Sequence, residues 1–283
     1  MSHEIKLIEC PRDAMQGWKQ FIPTEDKINY INSLLEVGFD ILDFGSFVSP
    51  KAIPQMADTK EVIAKLQMTQ TKLLAIIANL RGAQDAAVYD EITYLGFPFS
   101  ISETFQLKNT NSSIEESLYT VGEIQNLCEK YGKKLVIYIS MGFGNPYGDE
   151  YNSEVVIHWV DKLNALGVGT FAISDTVGVS TPDNIAGLFS TLNQEFSLLD
   201  IGAHFHSTPD TAREKIHAAY QNGCVRFDSA INGIGGCPMA QNELVGNLAT
   251  EQLIAYFDEL NIPLRINRDA LIKAQSISQK IFQ

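Results

Sequence analysis

The chain has 283 residues, 45% hydrophobic and 19% charged, a composition typical of a folded globular protein with length enough for a large core. A net charge of −13, with a pI near 4.8, argues against nucleic acid or an anionic membrane surface as a partner. No run approaches the ~18 apolar residues of a membrane span. Residues 5–9 read as a strand that starts too early to leave room for a leader segment. Four cysteines (Cys10, Cys128, Cys224 and Cys237) form no CxxC pair, so free thiols are expected in a reducing compartment, by default the cytoplasm.

Taken in order, apolar runs alternate with amphipathic helical patterns. After the strand at 5–9 comes a helix from a Thr24 cap, with Ile28, Ile31, Leu34 and Leu35 on one stripe. Residues 39–44 read as the second strand and 61–67 as the next helix. The unbroken apolar run 73–78 fits a strand buried on both faces. A helix near 84–89 leads to the fourth strand, 91–95. Ser113 and Glu116 make a capping-box pair ahead of Ile114, Leu118, Val121, Ile124 and Leu127, and Gly132 ends that helix. Strand five is 134–139, Ser153 caps a helix carrying Val156, Val160, Leu163 and Leu166, and strand six is 170–174. Thr181-Pro182 and Thr208-Pro209 each pair a cap with proline at the first helical position. Between them lies strand seven, 199–203, and strand eight, 225–229, runs directly toward the glycines at 233–236.

Strand–helix units of roughly 30 residues, with no linker between them, predict an α/β fold, a closed (β/α)₈ TIM barrel of about 250 residues. The whole chain reads as one domain, the barrel spanning about 5–264 and a C-terminal helical extension about 267–283. A doubly wound open sheet is the alternative.

In such a barrel the active face lies at the C-terminal ends of the strands. Arg12 and Asp13 follow strand one, Asp43 ends strand two, Asp175 follows strand six, and Cys237 lies beyond strand eight. His204 and His206 sit at the end of strand seven, two apart, so both imidazoles point to one side. With Asp13 and the Asn247 amide oxygen they make a mixed, fairly hard donor set suited to Mg²⁺ or Mn²⁺, with Zn²⁺ also compatible. The same two histidines and carboxylate also describe a non-haem iron site. Arg12 is a permanent charge beside that set, placed to meet negative charge on a substrate oxygen or simply to pair with Asp43 or Asp175. Cys237 has no neighbouring cation in sequence to make it a thiolate, so it is a better candidate acid than nucleophile.

From Ile5 to about Glu259 the chain resembles the hydroxymethylglutaryl-CoA lyases of the DRE-TIM metallolyase superfamily. The resemblance rests on Pro11-Arg12-Asp13, the stretch from Ser46 to Lys51, the stretch from Ser113 to Ser117, Asp175-Thr176-Val177-Gly178, His204-x-His206 and Gly235-Gly236-Cys237-Pro238. It implies a branched 3-hydroxy-acyl-CoA substrate cleaved to acetyl-CoA and acetoacetate, a divalent cation on Asp13, His204, His206 and Asn247, and a homodimer. It implies further that Arg12 stabilises a thioester enolate and that Cys237 belongs to a mobile catalytic loop. The chain departs from the family pattern in having Asp43 for a glutamate and Ala14-Met15 for Gly-Leu. The segment from Cys237 to Asn247 is one residue longer than usual, the loop after strand four is also longer, and only Lys19 stands where a basic residue helps to hold CoA. For the hydroxyl proton the residues leave Asp43, Asp175 and His204 as candidate bases. A related aldolase, an acyl-CoA condensing synthase and a non-catalytic acyl-CoA-binding barrel are the alternative functions.

Overall fold

In the computed structural model residues 4–236 and 245–283 are described, and eight strands close into a parallel barrel in sequence order, the eighth pairing with the first. β1 (Lys6–Glu9) leads at once into a short helix, α1 (Pro11–Gln16), and then α2 (Thr24–Val37) and β2 (Ile41–Ser46). There follow α3 (Thr59–Ile63), β3 (Lys72–Ile76), α4 (Leu80–Ala87) and β4 (Ile92–Ser100). Two helices, α5 (Glu103–Thr110) and α6 (Ile114–Tyr131), precede β5 (Lys134–Ser140). The alternation then resumes with α7 (Ser153–Ala165), β6 (Thr170–Asp175), α8 (Pro182–Glu195), β7 (Asp200–Phe205), α9 (Pro209–Gln221) and β8 (Arg226–Ser229). Last come α10 (Thr250–Glu259) and α11 (Arg268–Ile281), the latter packed on α2.

The closed barrel and its C-terminal helix agree with the expectation from sequence. The capping box of α6 is present: Ser113 Oγ accepts from the Glu116 amide, and the Glu116 carboxylate accepts from the Ser113 amide. Such a cap stabilises a helix by roughly 1 kcal/mol. Several boundaries differ for local reasons. α4 begins at Leu80, because the Asn79 side chain accepts from the Gly82 amide. α7 is capped by Asn152 and not by Ser153. β4 runs on to Ser100, and β7 takes in His204.

Period-two alternation splits the core. Outward residues such as Leu42, Phe44, Leu73, Ile137 and Phe171 pack beneath the helices. Inward ones (Ile8, Ile41, Leu74, Ile76, Val136 and Ala172) fill the barrel together with Cys10 and Tyr138. Burying each large aliphatic side chain contributes about 1.5–3 kcal/mol. One guanidinium interrupts this apolar filling. Arg226 is fully buried, and Gly202 makes room for it, since a Cβ there would lie 2.7 Å from Arg226 Cγ. Its Nη1 lies 3.5 Å from Asp228 Oδ1 on the same strand.

Candidate active site

The site forms where β1, β2, β7 and the segment after β8 end together. The chain turns into α1 directly after β1, and Pro11 starts that helix with its φ already set. This turn buries Arg12 and Asp13 at the barrel mouth instead of leaving them in a solvated loop. Arg12 donates from both Nε (3.0 Å) and Nη2 (2.6 Å) to Oδ2 of Asp43, and from Nη1 to Oδ1 of Asp13 at 2.8 Å. Oδ1 of Asp43 is buried and has no hydrogen-bond partner among the described residues.

Asp13, His204 and His206 converge, one ligand atom of each lying within 4.8 Å of the others. Both rings are oriented from behind. Nδ1 of His206 lies 3.0 Å from the carbonyl oxygen of Thr176, which can only accept, so the proton sits on Nδ1 and Nε2 carries the lone pair. That Nε2 is buried and without a partner among the described residues. Nδ1 of His204 faces Oδ2 of Asp228 at 3.2 Å, and the same argument leaves its Nε2 as the free lone pair. The residues after the glycine-rich loop return beside β7: Leu248 donates to the Phe205 carbonyl, and Ser207 to that of Gly246. Asn247 is thereby bridged to His206, and its Nδ2 donates to Oδ2 of Asp13 (2.7 Å) and to the Ile234 carbonyl (2.9 Å). Its Oδ1 is the amide's remaining lone-pair atom.

The electrostatics follow from burial and charge. Burial alone would raise the Asp13 carboxyl, but Arg12 and the two histidines hold it down at about 2. Asp43 goes the other way. Burial pushes it up to about 6 despite the Arg12 contact, with Asp13 and Asp228 adding repulsion. Burial holds His206 down at about 4, neutral as a metal ligand must be. His204 is raised, because the hydrogen bond and charge of Asp228 outweigh the effect of burial. Cys10, His204 and Asp228 form a second cluster just inside the barrel. Burial and the surrounding carboxylates push the Cys10 thiol far up, so it remains protonated and a poor ligand.

Asp175 stands apart from this group. Its Oδ1 accepts from the Val179 and Ser180 amides, and its Oδ2 from the Ser180 hydroxyl and, at 2.7 Å, the buried Lys215 ammonium. Cys237 lies outside the described residues. The loop that leads to it is pinned at the site. At Gly235, with φ of 102°, a Cβ would sit 2.8 Å from the Asp13 carbonyl oxygen and 3.0 Å from Ala14 Cα.

Asp228, the Thr176 carbonyl and Lys215 escape sequence reasoning. For Asp228 a signal exists: Arg226 and Asp228 are charged at alternate positions of a strand whose neighbour carries His204 at the paired position. A main-chain carbonyl carries no signature, and a lysine in the Arg213-Glu214-Lys215 run reads as solvated surface.

Among the described residues no helix is long and apolar enough to cross a membrane. A family model described as HMGL-like matches residues 5–277. The mitochondrial hydroxymethylglutaryl-CoA lyase of Bos taurus is 35% identical over 275 residues, covering 96% of this chain and 83% of that protein. The hydroxymethylglutaryl-CoA lyase YngG of Bacillus subtilis (strain 168) is 31% identical over 268 residues, 93% of this chain and 88% of that one. Among solved structures, an HMG-CoA lyase from Brucella melitensis superposes with a TM-score of 0.92 at 28% identity, covering all of both chains. An HMG-CoA lyase from Acenitobacter baumannii, in complex with coenzyme A and 3-methylmalate, gives 0.92 at 30% identity, covering 100% of this chain and 93% of that one.

Proposed function

The chain belongs to the HMGL-like family of carbon–carbon lyases, and on that premise we propose that it cleaves 3-hydroxy-3-methylglutaryl-CoA to acetyl-CoA and acetoacetate by a metal-dependent retro-Claisen reaction. The observation that carries this reading is the meeting of Asp13, His204 and His206 beside the Arg12–Asp43 pair. An acyl-CoA thioester as substrate and a homodimer as assembly belong to the same proposal. The coenzyme A bound to the related lyase supports the first of these.

The donor set fits a divalent ion. His206 offers a buried Nε2 with no other partner among the described residues, Asp13 is ionised, and both Nδ1 atoms are engaged from behind. Two imidazoles with carboxylate and amide oxygens suit Mg²⁺ or Mn²⁺, with Zn²⁺ also compatible. In this reading Asp13, His204, His206 and Asn247 hold the ion, which when bound supplies Lewis-acid polarisation of substrate oxygens.

Asp43 is the group we assign to the tertiary hydroxyl proton, which it takes on Oδ1. A carboxyl near 6 is matched to that task, and Oδ1 is its unused oxygen. Asp175 is committed to Lys215 and its own loop, and in this reading His204 gives Nδ1 to Asp228 and Nε2 to the ion, which leaves Asp43. As the carbon–carbon bond breaks, the hydroxyl carbon becomes the ketone of acetoacetate, and the bonding pair passes to the acetyl thioester as its enolate. Arg12 has five N–H donors, of which contacts among the described residues use three, and the other two are assigned to the enolate oxygen. Cys237 then protonates the enolate carbon.

The test is acetyl-CoA release from a panel of 3-hydroxy-acyl-CoA thioesters, before and after chelation and with Mg²⁺ or Mn²⁺ restored. Release from the methylglutaryl thioester, lost on chelation and regained with metal, is expected. No release from any thioester, or full turnover in demonstrably metal-free protein, overturns the reading.

A further inference from the structure

Lys215 is the one lysine on α9, and its ammonium faces inward, 2% exposed. Nζ donates to Oδ2 of Asp175 at 2.7 Å and to the main-chain carbonyl of His206 at 2.9 Å, and it lies 3.4 Å from the Gly178 carbonyl. An ammonium has three protons and no lone pair, so these acceptors use its full capacity. All three belong to the two segments that aim His206. One is the stretch just past β7, the histidine itself. The other is the turn after β6, whose Thr176 carbonyl receives the His206 Nδ1–H. A third tie fixes that turn from its far side, where the Met141 amide donates to Thr176 Oγ1 at 2.8 Å.

We infer that Lys215 is a positioning residue for His206: by tying the His206 main chain to the Asp175–Gly178 turn, it sets the distance between the imidazole and the carbonyl that orients it. The inference rests on the reading above, in which His206 holds the cation. The geometry explains why a charge is buried on a helix face that could have carried an apolar residue. A neutral side chain of the same length would fill the space but would leave the Asp175 carboxylate and the His206 carbonyl each short of a donor. The turn and the strand end would then be free to slide past one another, and the ring would lose its fixed partner. Groups that orient a metal-binding histidine from behind typically alter metal affinity by about 10–100-fold when removed.

The experiment compares the wild-type chain with Lys215→Met, which keeps an apolar stem and removes the charge and its donors. Two quantities are read on folded protein: Mn²⁺ affinity, from the electron-paramagnetic-resonance signal of free Mn²⁺, and the ring-nitrogen NMR shifts of His206 in metal-free protein. Mn²⁺ binding weaker by about 10–100-fold, with His206 no longer held as a single Nδ1–H tautomer, is expected. A purely structural lysine would lower the melting temperature and leave both readouts at their wild-type values, and that result overturns the inference. Where Lys215→Met does not fold, the double variant Lys215→Met/Asp175→Asn removes both buried charges. The same two quantities are read on it, and wild-type values again overturn the inference. His206→Gln separates the two levels. If it binds Mn²⁺ as the wild type does, the ligand reading fails. If it loses Mn²⁺ while Lys215→Met keeps wild-type affinity and shifts, only the role of Lys215 fails.

Discussion

Arg12 grips Asp43 by a single oxygen: Nε and Nη2 both reach Oδ2, while Oδ1 of the same carboxylate stays buried and bare among the described residues. A two-oxygen clamp would engage both oxygens and favour the ionised form more strongly. The one-sided grip orients Asp43 and leaves it a free acceptor. Burial, only partly offset by Arg12, lifts its pKa to about 6.

A base must be deprotonated to act, so kcat is expected to rise with pH through about 6 and to level off above it. Asp43→Asn keeps the shape and the hydrogen bond to Arg12 but cannot take a proton. It should lower kcat by about 10²–10⁴-fold and abolish that limb of the profile. A variant that keeps the limb near 6 assigns the proton to another group. Full pH profiles of both proteins, measured at saturating metal, decide the matter.

Arg12→Lys retains the charge but not the planar fork. One ammonium cannot reach Asp43 and Asp13 and also present donors to a developing enolate oxygen. We expect kcat to fall by roughly two orders of magnitude, as for loss of an oxyanion donor, with KM little changed. Steady-state kinetics check this. Wild-type kcat with a raised KM would move Arg12 to ground-state binding.

The parts of this molecule legible in sequence are those that local physics determines. The apolar run containing Leu73, Leu74, Ala75 and Ile76 is continuous because both its faces are buried, and the strand lies there. The His204 and His206 pair is legible because period two is a property of the strand itself. α1 is not, since six residues are too few to show a stripe, and so Arg12 and Asp13 read as loop residues when they are buried helical ones. α5 escapes for a similar reason: its eight residues carry no clear apolar face, and its start is set by Ser102 accepting from Phe105. Lys215 needs the tertiary fold, because what it touches lies on distant segments, and Asp228 shows only as a charge alternating with Arg226 on β8. Asp175 is legible as a residue at the mouth, but its saturation by Ser180 and Lys215 is not. The role read for Cys237 falls on residues outside those described.

Glu9 offers the last test, one of stability. It ends β1, fully buried, and joins the two ends of the segment that contains the glycine-rich loop. Its Oε1 accepts from the Ile231 amide at 2.8 Å, and its Oε2 lies 2.6 Å from the Thr250 hydroxyl. Thr250 Oγ1 is also 2.9 Å from Ser229 Oγ, and its one proton cannot serve both neighbours. Two proton arrangements satisfy the three groups: Ser229 donates to Thr250 and Thr250 to an ionised Glu9, or a protonated Glu9 donates to Thr250 and Thr250 to Ser229. Burial lifts Glu9 from 4.5 to about 8, although the hydrogen bonds with Thr250 and Ile231 pull it down, and this favours the protonated arrangement. A carboxyl raised on folding contributes stability that is complete below its unfolded value and is lost as pH rises through its folded one. The fold should therefore weaken between about pH 4.5 and 8, by at most about 1.4 kcal/mol per pH unit from this group. Glu9→Gln mimics the neutral acid, since its amide oxygen accepts from Ile231 and its amide nitrogen donates to Thr250. Urea melts at pH 5 and pH 8 should show the wild type losing stability across the interval and Glu9→Gln losing less, with the variant the more stable of the two at pH 8. Parallel losses in the two proteins would mean that Glu9 is ionised in the fold, and that Thr250 donates to it instead of to Ser229.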